Sequence, residues 1–227
     1  MAHRELFDRS PIRLFDQISG GGLHAGELGL IASRKGLGKT SVLVQFGIDA
    51  LLKNDGVVHV SFDQRSENVM TWYADVFSEI AKKKNAAFPE NMLAELVRKR
   101  VILNFSQDDA ALSRVAATIA ALIGSGVGTR TVLIDDLDFA KVSADELQKL
   151  SDFAKQRTIS VWISTATDDT ALSRILATDL LPFIDIVALL ESKPDALVFE
   201  LLKVHGDAKP SATLKLDSKT LLIIEYK

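Results

Sequence analysis

The segment with the clearest chemical potential lies near the start of the chain and reads Ser33-Arg34-Lys35-Gly36-Leu37-Gly38-Lys39-Thr40-Ser41. An apolar run precedes it and an apolar stripe at helical spacing follows it, so we expect a strand, a glycine-rich turn and a helix. Backbone N–H groups at such a turn converge on one point, and the helix dipole favours an anion there. We therefore expect this segment to bind nucleotide phosphates, with Lys39 on the β- and γ-phosphates and the Thr40 hydroxyl on Mg²⁺.

The first position of this segment departs from the usual phosphate-loop pattern. The pattern G-x-x-x-x-G-K-[ST] begins with glycine, whereas this chain has Ser33 there. A serine that must adopt a positive φ costs roughly 1 kcal/mol. The alternative interpretation is a chance Gly-Lys-Thr, and the other polar residues of the chain decide between the two.

A carboxylate ends an apolar strand pattern well after this segment. The run Val132-Leu133-Ile134 leads into Asp135, and ligands of open α/β sheets bind at the carboxyl ends of the strands. In P-loop nucleotide hydrolases such a carboxylate holds Mg²⁺, so we assign Thr40 and Asp135 to the metal. The alternative for Asp135 is a capping carboxylate. Asp136 and Asp138 stay open between the edge of the site and a solvated loop.

Two more strand ends offer polar side chains. Asp63 follows the strand pattern Val57–Phe62, where a carboxylate can orient a water in line with the γ-phosphate, and it is the predicted catalytic residue together with Lys39. Its alternative role is to cap the next helix. Ser164 and Thr165 end a later strand. The Thr165 hydroxyl is the predicted γ-phosphate sensor, and the alternative is a polar strand end without a role in the site.

The composition narrows the class of protein. The chain has 227 residues, 47% of them hydrophobic and 25% charged, which is typical of a globular domain with a substantial core. A net charge of −3 provides no overall basic field, so nucleic acid is not a favoured partner. The absence of cysteine excludes disulfides and thiolate metal sites and fits a cytoplasmic protein. Neither a signal peptide nor a membrane-spanning run is visible.

Strand and helix patterns alternate through the first two-thirds of the chain. The predicted strands cover residues 28–32, 57–62, 101–105, 131–135, 159–164, 184–190, 197–204, 212–216 and 221–226. The predicted helices cover residues 40–54, 66 onward, 89–100, 109–123, 143 onward, where Ser143 to Glu146 forms a capping box, and 170–177. This order predicts a three-layer α/β fold with a mainly parallel sheet, formed by residues 1–227 as a single domain. Residues 1–27 are the lead-in, and residues 184–227 are predicted as an antiparallel C-terminal β meander.

Taken in order, these segments resemble RecA-fold ATPases of the KaiC and DnaB type. The resemblance rests on residues 12–16, Gly21 to Glu27, Gly-Lys-Thr, Val60 to Asp63, the strand to Asp135, residues 185–187 and Leu202 to Gly206. It covers nearly the whole chain and implies a RecA-like P-loop NTPase fold with ATP and Mg²⁺ as ligands. It also implies that the late strand acts on the γ-phosphate of a neighbouring subunit, which makes Lys203 and His205 the trans-acting candidates.

The residues of this chain that differ from those usual in the family lie at positions with predicted roles in catalysis. Asp63 stands where the family usually has Glu, and Gln64 stands where KaiC-like proteins often have a second Glu. His205 takes the position of an arginine, and a histidine is charged only part of the time near neutral pH. Together with Ser33, these residues favour nucleotide binding over fast hydrolysis.

The expected function is Mg-ATP binding with slow hydrolysis, controlled by self-association or by a protein partner. The alternative is a sensor or scaffold that binds the nucleotide without hydrolysing it. A DNA-binding recombinase or helicase is less favoured, because the connections after the strands ending at Asp135 and Thr165 are short or helical. Those connections contain few basic residues, Lys141 and Arg174.

Overall fold

The computed structural model describes residues 7–8, 10–62, 65–83, 92–107, 111–208 and 213–224. Within these ranges ten strands form one sheet: β1 (Leu28–Ser33), β2 (Gly56–Ser61), β3 (Arg100–Asn104), β4 (Thr129–Asp135), β5 (Ser160–Ala166), β6 (Ile186–Lys193), β7 (Ala196–Val204), β8 (Asp207–Ala208), β9 (Thr213–Leu216) and β10 (Ile223–Ile224). The α-helices are α1 (Ile12–Ile18), α2 (Lys39–Leu52), α3 (Ser66–Lys83), α4 (Met92–Val97), α5 (Ala111–Gly124), α6 (Ala144–Arg157) and α7 (Leu172–Ile175). None of the described helices is long and apolar enough to cross a membrane.

The sheet is mixed and has the order β3-β2-β4-β5-β1-β6-β7-β9-β10, with β8 beside β7. The six strands from β3 to β6 in this order are parallel, so their carboxyl ends share one edge of the sheet. The pairs β6–β7, β7–β9 and β9–β10 are antiparallel. The predicted α/β fold, a parallel core with antiparallel C-terminal strands, is confirmed.

The antiparallel part begins later than the sequence predicts. A meander from residue 184 would pair every late strand antiparallel, but β6 lies parallel to β1, with Leu30 opposite Val187. The chain between β5 and β6 contains α7 and a 3₁₀ turn at Leu181–Phe183, and it returns to the opposite edge of the sheet before β6 starts. The antiparallel extension therefore starts at Ala196, after a tight turn that contains Pro194.

Three other predicted boundaries are wrong. The helix predicted up to Arg100 ends at Val97, because Arg100 already pairs in β3, and Pro89 lies outside the described residues. The helix predicted over 170–177 is the single turn α7. The last predicted strand is only β10 within the described residues, because Leu221 has a φ of 56°, which is not compatible with an extended strand.

The start of α6 confirms the predicted capping box. The Ser143 hydroxyl accepts from the backbone N–H of Glu146, and the Glu146 carboxylate accepts from the backbone N–H of Ser143. Two N–H groups that have no acceptor within the helix are thereby satisfied. This cap fixes where the chain enters α6 after β4.

Two apolar cores cover the two faces of the sheet. One lies under α1 to α4 and includes Phe46, Tyr73 and Val76. The other lies under α5 and α6 and includes Val115 and Leu147. Strands β1 and β2 are buried along their whole length, as expected for parallel strands between two helical layers. The predicted three layers are therefore present.

A glycine in β1 fixes the position of α2 on the sheet. Gly29 lies opposite Trp162 in β5, and a Cβ at residue 29 would lie 2.4 Å from two atoms of the indole ring. The ring therefore covers the strand itself and stacks on Phe46 of α2, with centroids 4.4 Å apart. Because α2 follows the glycine-rich turn, this contact also positions that turn.

A buried histidine makes the fold sensitive to acid. His59 on β2 is fully buried, with Nδ1 3.3 Å from the Tyr73 hydroxyl. Burial lowers the pKa of His59 to about 3, and Arg100 contributes to the same effect. Between that pH and about 6.5, the unfolded chain binds a proton at this histidine and the folded chain does not. Stability from this residue is therefore complete above pH 6.5 and is lost as the pH falls.

We expect His59→Gln to reduce the acid dependence of stability. The wild type should lose about 1.4 kcal/mol of unfolding free energy per pH unit below about 6.5 through His59, and the variant should lack this component. Urea unfolding at several pH values measures the slope. Tyr73→Phe keeps the imidazole and should keep the wild-type slope. An unchanged slope in His59→Gln would contradict the assignment.

Candidate functional site

The glycine-rich loop, residues 34–38, connects the carboxyl end of β1 to the amino end of α2. Gly36 has a φ of 86° and Gly38 a φ of 102°, values that favour glycine. No atom lies within 4 Å of a Cβ placed at Gly36, so the backbone of the loop is accessible there. The first N–H groups of α2 have no acceptor within the helix, so they are available to an anion at the end of the loop. The predicted anion site therefore has the required backbone.

Ser33 occupies its position without the strain that the sequence pattern suggests. It is the last residue of β1, it is fully buried, and it is not among the described residues with positive φ. Its hydroxyl donates to the Arg34 carbonyl at 2.8 Å, and its own carbonyl accepts from Thr167 N–H at 2.9 Å. Because the backbone remains extended here, no glycine is needed and the conditional cost of roughly 1 kcal/mol does not arise.

The two predicted metal residues are in direct contact. Thr40 Oγ1, in the first turn of α2, donates to Asp135 Oδ2 at 2.8 Å. The other carboxylate oxygen, Oδ1, accepts from Ser164 Oγ at 2.6 Å, and Ser164 Oγ in turn accepts from the Asp136 N–H at 2.8 Å. Residues from α2, β4 and β5 thus meet at the carboxyl edge of the sheet.

The surroundings of Asp135 disfavour the ionised form of its carboxyl group. Only 1% of the residue is exposed, and burial raises its pKa while the hydrogen bonds from Ser164 and Thr40 oppose that rise. Neighbouring Asp136 raises the pKa further, and Lys39 lowers it. A cation beside Asp135 would stabilise the ionised form, so the arrangement suits a metal ion.

Lys39 is buried and faces the acidic end of β4. Its side chain is 8% exposed, and Nζ lies 3.7 Å from Asp136 Oδ1. Asp136 has a φ of 62°, held by the bond from its N–H to Ser164, so its carboxylate turns towards the lysine. Asp136 therefore lies at the edge of the site. Asp138 instead caps a 3₁₀ turn by accepting from Ala140 N–H.

The predicted sensor residue stabilises the connection after β4. The buried Thr165 hydroxyl donates to the Leu137 carbonyl at 2.7 Å. Gln107 stabilises the same connection, because its amide donates to the Asp136 carbonyl and accepts from Asp138 N–H, both at 2.7 Å. Gln107 is not among the residues predicted from the sequence, because its partners lie about 30 residues away and no motif marks it.

A cavity of about 230 Å³ adjoins the glycine-rich loop. Arg34 and Leu37 line one side, and residues 167–170 and 189–192 line the other. Arg34 Nε lies 3.5 Å from Asp168 Oδ1, but both side chains are exposed, so this pair contributes little. Lys35 is also exposed. A cavity of about 250 Å³ lies at the opposite edge, away from the predicted nucleotide residues.

The C-terminal segment also contacts this region. Gln45 of α2 donates to the Leu221 carbonyl and accepts from Ile223 N–H, both at 2.9 Å. A Cβ placed at Gly38 would lie 3.0 Å from the Leu221 side chain. In the first turn of α2, Ser41 is fully buried, and its hydroxyl has no hydrogen-bond partner among the described residues. The contact between residues 221–223 and the loop was not predicted from the sequence, because it depends on the order of the last strands.

The remaining predicted residues are Asp63, Gln64, Lys203 and His205. Asp63 and Gln64 are outside the described residues, so their predicted roles stay predictions. Lys203 lies near the carboxyl end of β7, which is antiparallel to β6, and its Nζ donates to the Leu181 and Ile184 carbonyls. His205 directly follows Val204, the last residue of β7. Both residues lie at the edge of the sheet opposite to the glycine-rich loop of their own chain.

Comparison with known proteins agrees with this geometry. The profile of the KaiC ATPase family matches residues 9–163, which is more than half of the chain. The chain belongs to the KaiC family of ATPases. The match covers the lead-in from residue 9 onward, the glycine-rich loop and Asp135, and it ends one residue before Ser164. A search of curated proteins found no match.

Membership of the KaiC family implies a RecA-like P-loop fold and a nucleotide ligand. The residues at the carboxyl edge fit a magnesium ion as well, because Thr40 and Asp135 offer a hydroxyl and a carboxylate, the hard oxygen donors that Mg²⁺ prefers. The buried carboxylate with a raised pKa supports the same conclusion.

We expect Asp135→Asn to abolish the proposed function, Mg²⁺-dependent nucleotide binding, without lowering the stability of the unliganded protein. An amide of the same shape removes the cost of burying a carboxylate, so without nucleotide the variant should be as stable as the wild type or more stable at neutral pH. Because the folded pKa is raised, the wild type regains this stability as the pH falls, and the difference should shrink in acid. Mg²⁺-dependent nucleotide binding should be lost.

Thermal unfolding and calorimetric ATP titration, each with Mg²⁺ and with EDTA, measure both effects. Asp138→Asn is the matched control, since it makes the same change in the same connection, at the 3₁₀ cap. Marked destabilisation of Asp135→Asn, or undiminished Mg²⁺ dependence, would contradict the assignment.

Proposed function

We propose that this KaiC-family protein binds Mg-ATP at the glycine-rich loop and hydrolyses it slowly, through self-association or with a protein partner. The observation that supports this most is the contact of Thr40 with the buried Asp135, beside the buried Lys39. The residues proposed to bind phosphate and metal thus lie together at the carboxyl edge of a parallel sheet, where ligands of such folds bind. A cytoplasmic location fits both the use of ATP and the absence of cysteine.

In this proposal, residues 33–41 bind the triphosphate. Backbone N–H groups of the loop and the amino end of α2 supply hydrogen bonds and a favourable dipole. Lys39 exchanges its 3.7 Å contact with Asp136 for the β- and γ-phosphates, which carry more charge. Lys39 then stabilises the charge that develops on the transferred phosphoryl group.

Thr40 and Asp135 would hold the magnesium ion. A magnesium ion held by these two residues would supply positive charge that offsets the negative charge developing on the transferred phosphoryl group. The Asp135 carboxylate is already oriented by Ser164, and Thr40 donates to it from the other side. Thr165 is the proposed sensor, because its hydroxyl holds the Leu137 carbonyl and so connects β5 with the acidic end of β4.

Slow turnover follows from the residues proposed to act on water and on the γ-phosphate. Asp63 would position the attacking water, and its side chain is one methylene shorter than the Glu usual in the family. Gln64 supplies no second carboxylate, and His205 replaces an arginine. A sensor or scaffold that binds ATP without hydrolysing it is the second candidate, and these three residues favour it.

The proposed assembly follows from the location of Lys203. It lies at the edge of the sheet opposite to its own glycine-rich loop, so it can reach a nucleotide only in another subunit. Its ammonium now bonds two backbone carbonyls, and it must leave them to act in trans. Burial lowers the pKa of Lys203, and Asp185 opposes this effect. A head-to-tail arrangement would bring the two edges together.

We expect Lys39→Ala to weaken ATP binding by at least about tenfold and to reduce turnover by about 10²-fold or more. The reason is the loss of a buried cation at the triphosphate. ATP titration and phosphate release measure the two effects. Lys149→Ala, an exposed lysine on α6, is the matched control and should behave like the wild type.

Wild type and Lys39→Ala with equal affinity for ATP would contradict the proposed site. If the wild type binds ATP but hydrolyses it no faster than Lys39→Ala does, the result would contradict the proposed hydrolysis and favour the sensor. Asp63→Glu then separates the two, because a large gain in turnover indicates a weakened catalytic site and no gain favours the sensor.

We expect a mixture of Lys39→Ala and Lys203→Ala proteins to regain activity that neither has alone. In randomly mixed assemblies, about a quarter of the interfaces combine an intact loop with an intact Lys203, if each subunit is drawn with equal probability. Phosphate release at a range of mixing ratios measures this. Light scattering with ATP measures the assembly. A mixture that exchanges subunits but stays inactive would contradict action in trans.

A further inference from the structure

Two histidines and a glutamate converge at the edge of the sheet opposite to the proposed nucleotide site. His24 and Glu27 precede β1, and His205 follows β7, so residues far apart in the sequence meet there. Glu27 Oε1 lies 3.3 Å from His24 Nδ1 and 3.2 Å from His205 Nδ1. Among the described residues, these three form the group of His, Asp and Glu side chains that is compact enough to hold one metal ion.

The distances suit a transition-metal ion. Bonds of about 2.0–2.1 Å at tetrahedral angles place neighbouring ligand atoms roughly 3.3 Å apart. The two N–O distances in this cluster are already close to that value. Imidazole nitrogen and carboxylate oxygen are also the usual protein ligands of Zn²⁺ outside thiolate sites.

The ligands are held by the surrounding backbone. Glu27 Oε2 accepts from His24 N–H at 2.7 Å, which leaves Oε1 directed at both imidazoles. Asp185 links the two segments, because its carboxylate accepts from Leu28 N–H at 2.9 Å and its carbonyl accepts from His205 N–H at 2.8 Å. Supporting bonds of this kind orient the ligands of metal sites.

The imidazoles can adapt to an ion. The His24 and His205 rings are stacked with centroids 4.6 Å apart and planes 7° apart, and the Nδ1 atom of each lies near Glu27 Oε1. The His24 side chain is 55% exposed and can rotate until both lone pairs converge. Glu27 is 22% exposed and His205 26%, which leaves room for a water as the fourth ligand.

We propose that His24, Glu27 and His205 bind a divalent transition-metal ion, of which Zn²⁺ fits best. The bound ion joins the glycine-containing lead-in before β1 to the end of β7, and so ties the antiparallel extension to the central strand. This site is independent of the proposed ATP site and uses neither Thr40 nor Asp135. It gives His205 a role within its own chain, distinct from action on a neighbouring nucleotide.

The test uses full-length protein without an affinity tag, freed of metal by chelation. We expect Zn²⁺ to bind with a stoichiometry of one per chain in calorimetry and to raise the midpoint of thermal unfolding. We expect Co²⁺ to give the strong visible absorption of a four-coordinate ion. His205→Asn should weaken Zn²⁺ binding by about 100-fold or more, because losing even a supporting residue of such sites costs 10–100-fold.

Asparagine is the suitable replacement at residue 205, because φ there is 44° and asparagine tolerates that conformation. His24→Asn is the second variant and should weaken Zn²⁺ binding similarly while binding ATP like the wild type. His3→Asn is the matched control, which makes the same change while leaving His24, Glu27 and His205 intact, and it should keep full affinity.

Three results would overturn the proposal: no Zn²⁺ binding by the wild type, undiminished binding by His205→Asn and His24→Asn, or an equal loss in His3→Asn. ATP titration of the same proteins keeps the two proposals apart. Loss of Zn²⁺ binding with intact ATP binding supports the metal site, and failure of ATP binding in the wild type concerns only the nucleotide proposal.

Discussion

The site depends on one buried carboxylate. Asp135 has almost no contact with water, and its ionised form relies on two hydroxyl donors from different elements, Thr40 on α2 and Ser164 on β5. An ionised group in such a place is costly, and neutral hydroxyls compensate it only in part. The unliganded protein therefore has an incompletely compensated negative charge at the point where a cation would bind. The buried charge of Asp135 lowers the stability of the unliganded protein, and the same charge would increase its affinity for a cation.

The rest of the fold keeps these elements in register. Strand β1 lies between β5 and β6, and its missing side chain at Gly29 lets the Trp162 ring lie against the strand and stack on Phe46. That aromatic contact fixes α2 over the sheet, and α2 brings Lys39 and Thr40 to the end of β4. The position of the hydroxyl relative to the carboxylate is thus decided by close packing about two helical turns away from the site.

Local patterns in the sequence predict the parts of the site that local backbone geometry determines. Gly36, Gly38 and Lys39 mark the turn, and an apolar run ending in Asp135 marks the facing strand. Gln107 could not be found in this way, because its partners come from a distant segment and an isolated glutamine has no spacing to recognise. The parallel pairing of β6 was missed for a related reason, since pattern alone does not tell parallel from antiparallel partners. The expected strain at Ser33 assumed a backbone conformation that the end of β1 does not adopt.

The hydrogen bonds of Gln45 connect the outermost strand of the sheet, β10, to helix α2. An outermost strand such as the two-residue β10 has a single neighbour in the sheet and is ordinarily the first part of a sheet to fray. Here its backbone is also bonded to the helix that follows the glycine-rich loop, and Leu221 lies against Gly38. Fraying at this end of the chain would uncover Gly38 and remove two bonds from α2. Local opening of β10 and the shape of the loop are therefore linked, and whatever holds the loop in place also protects β10.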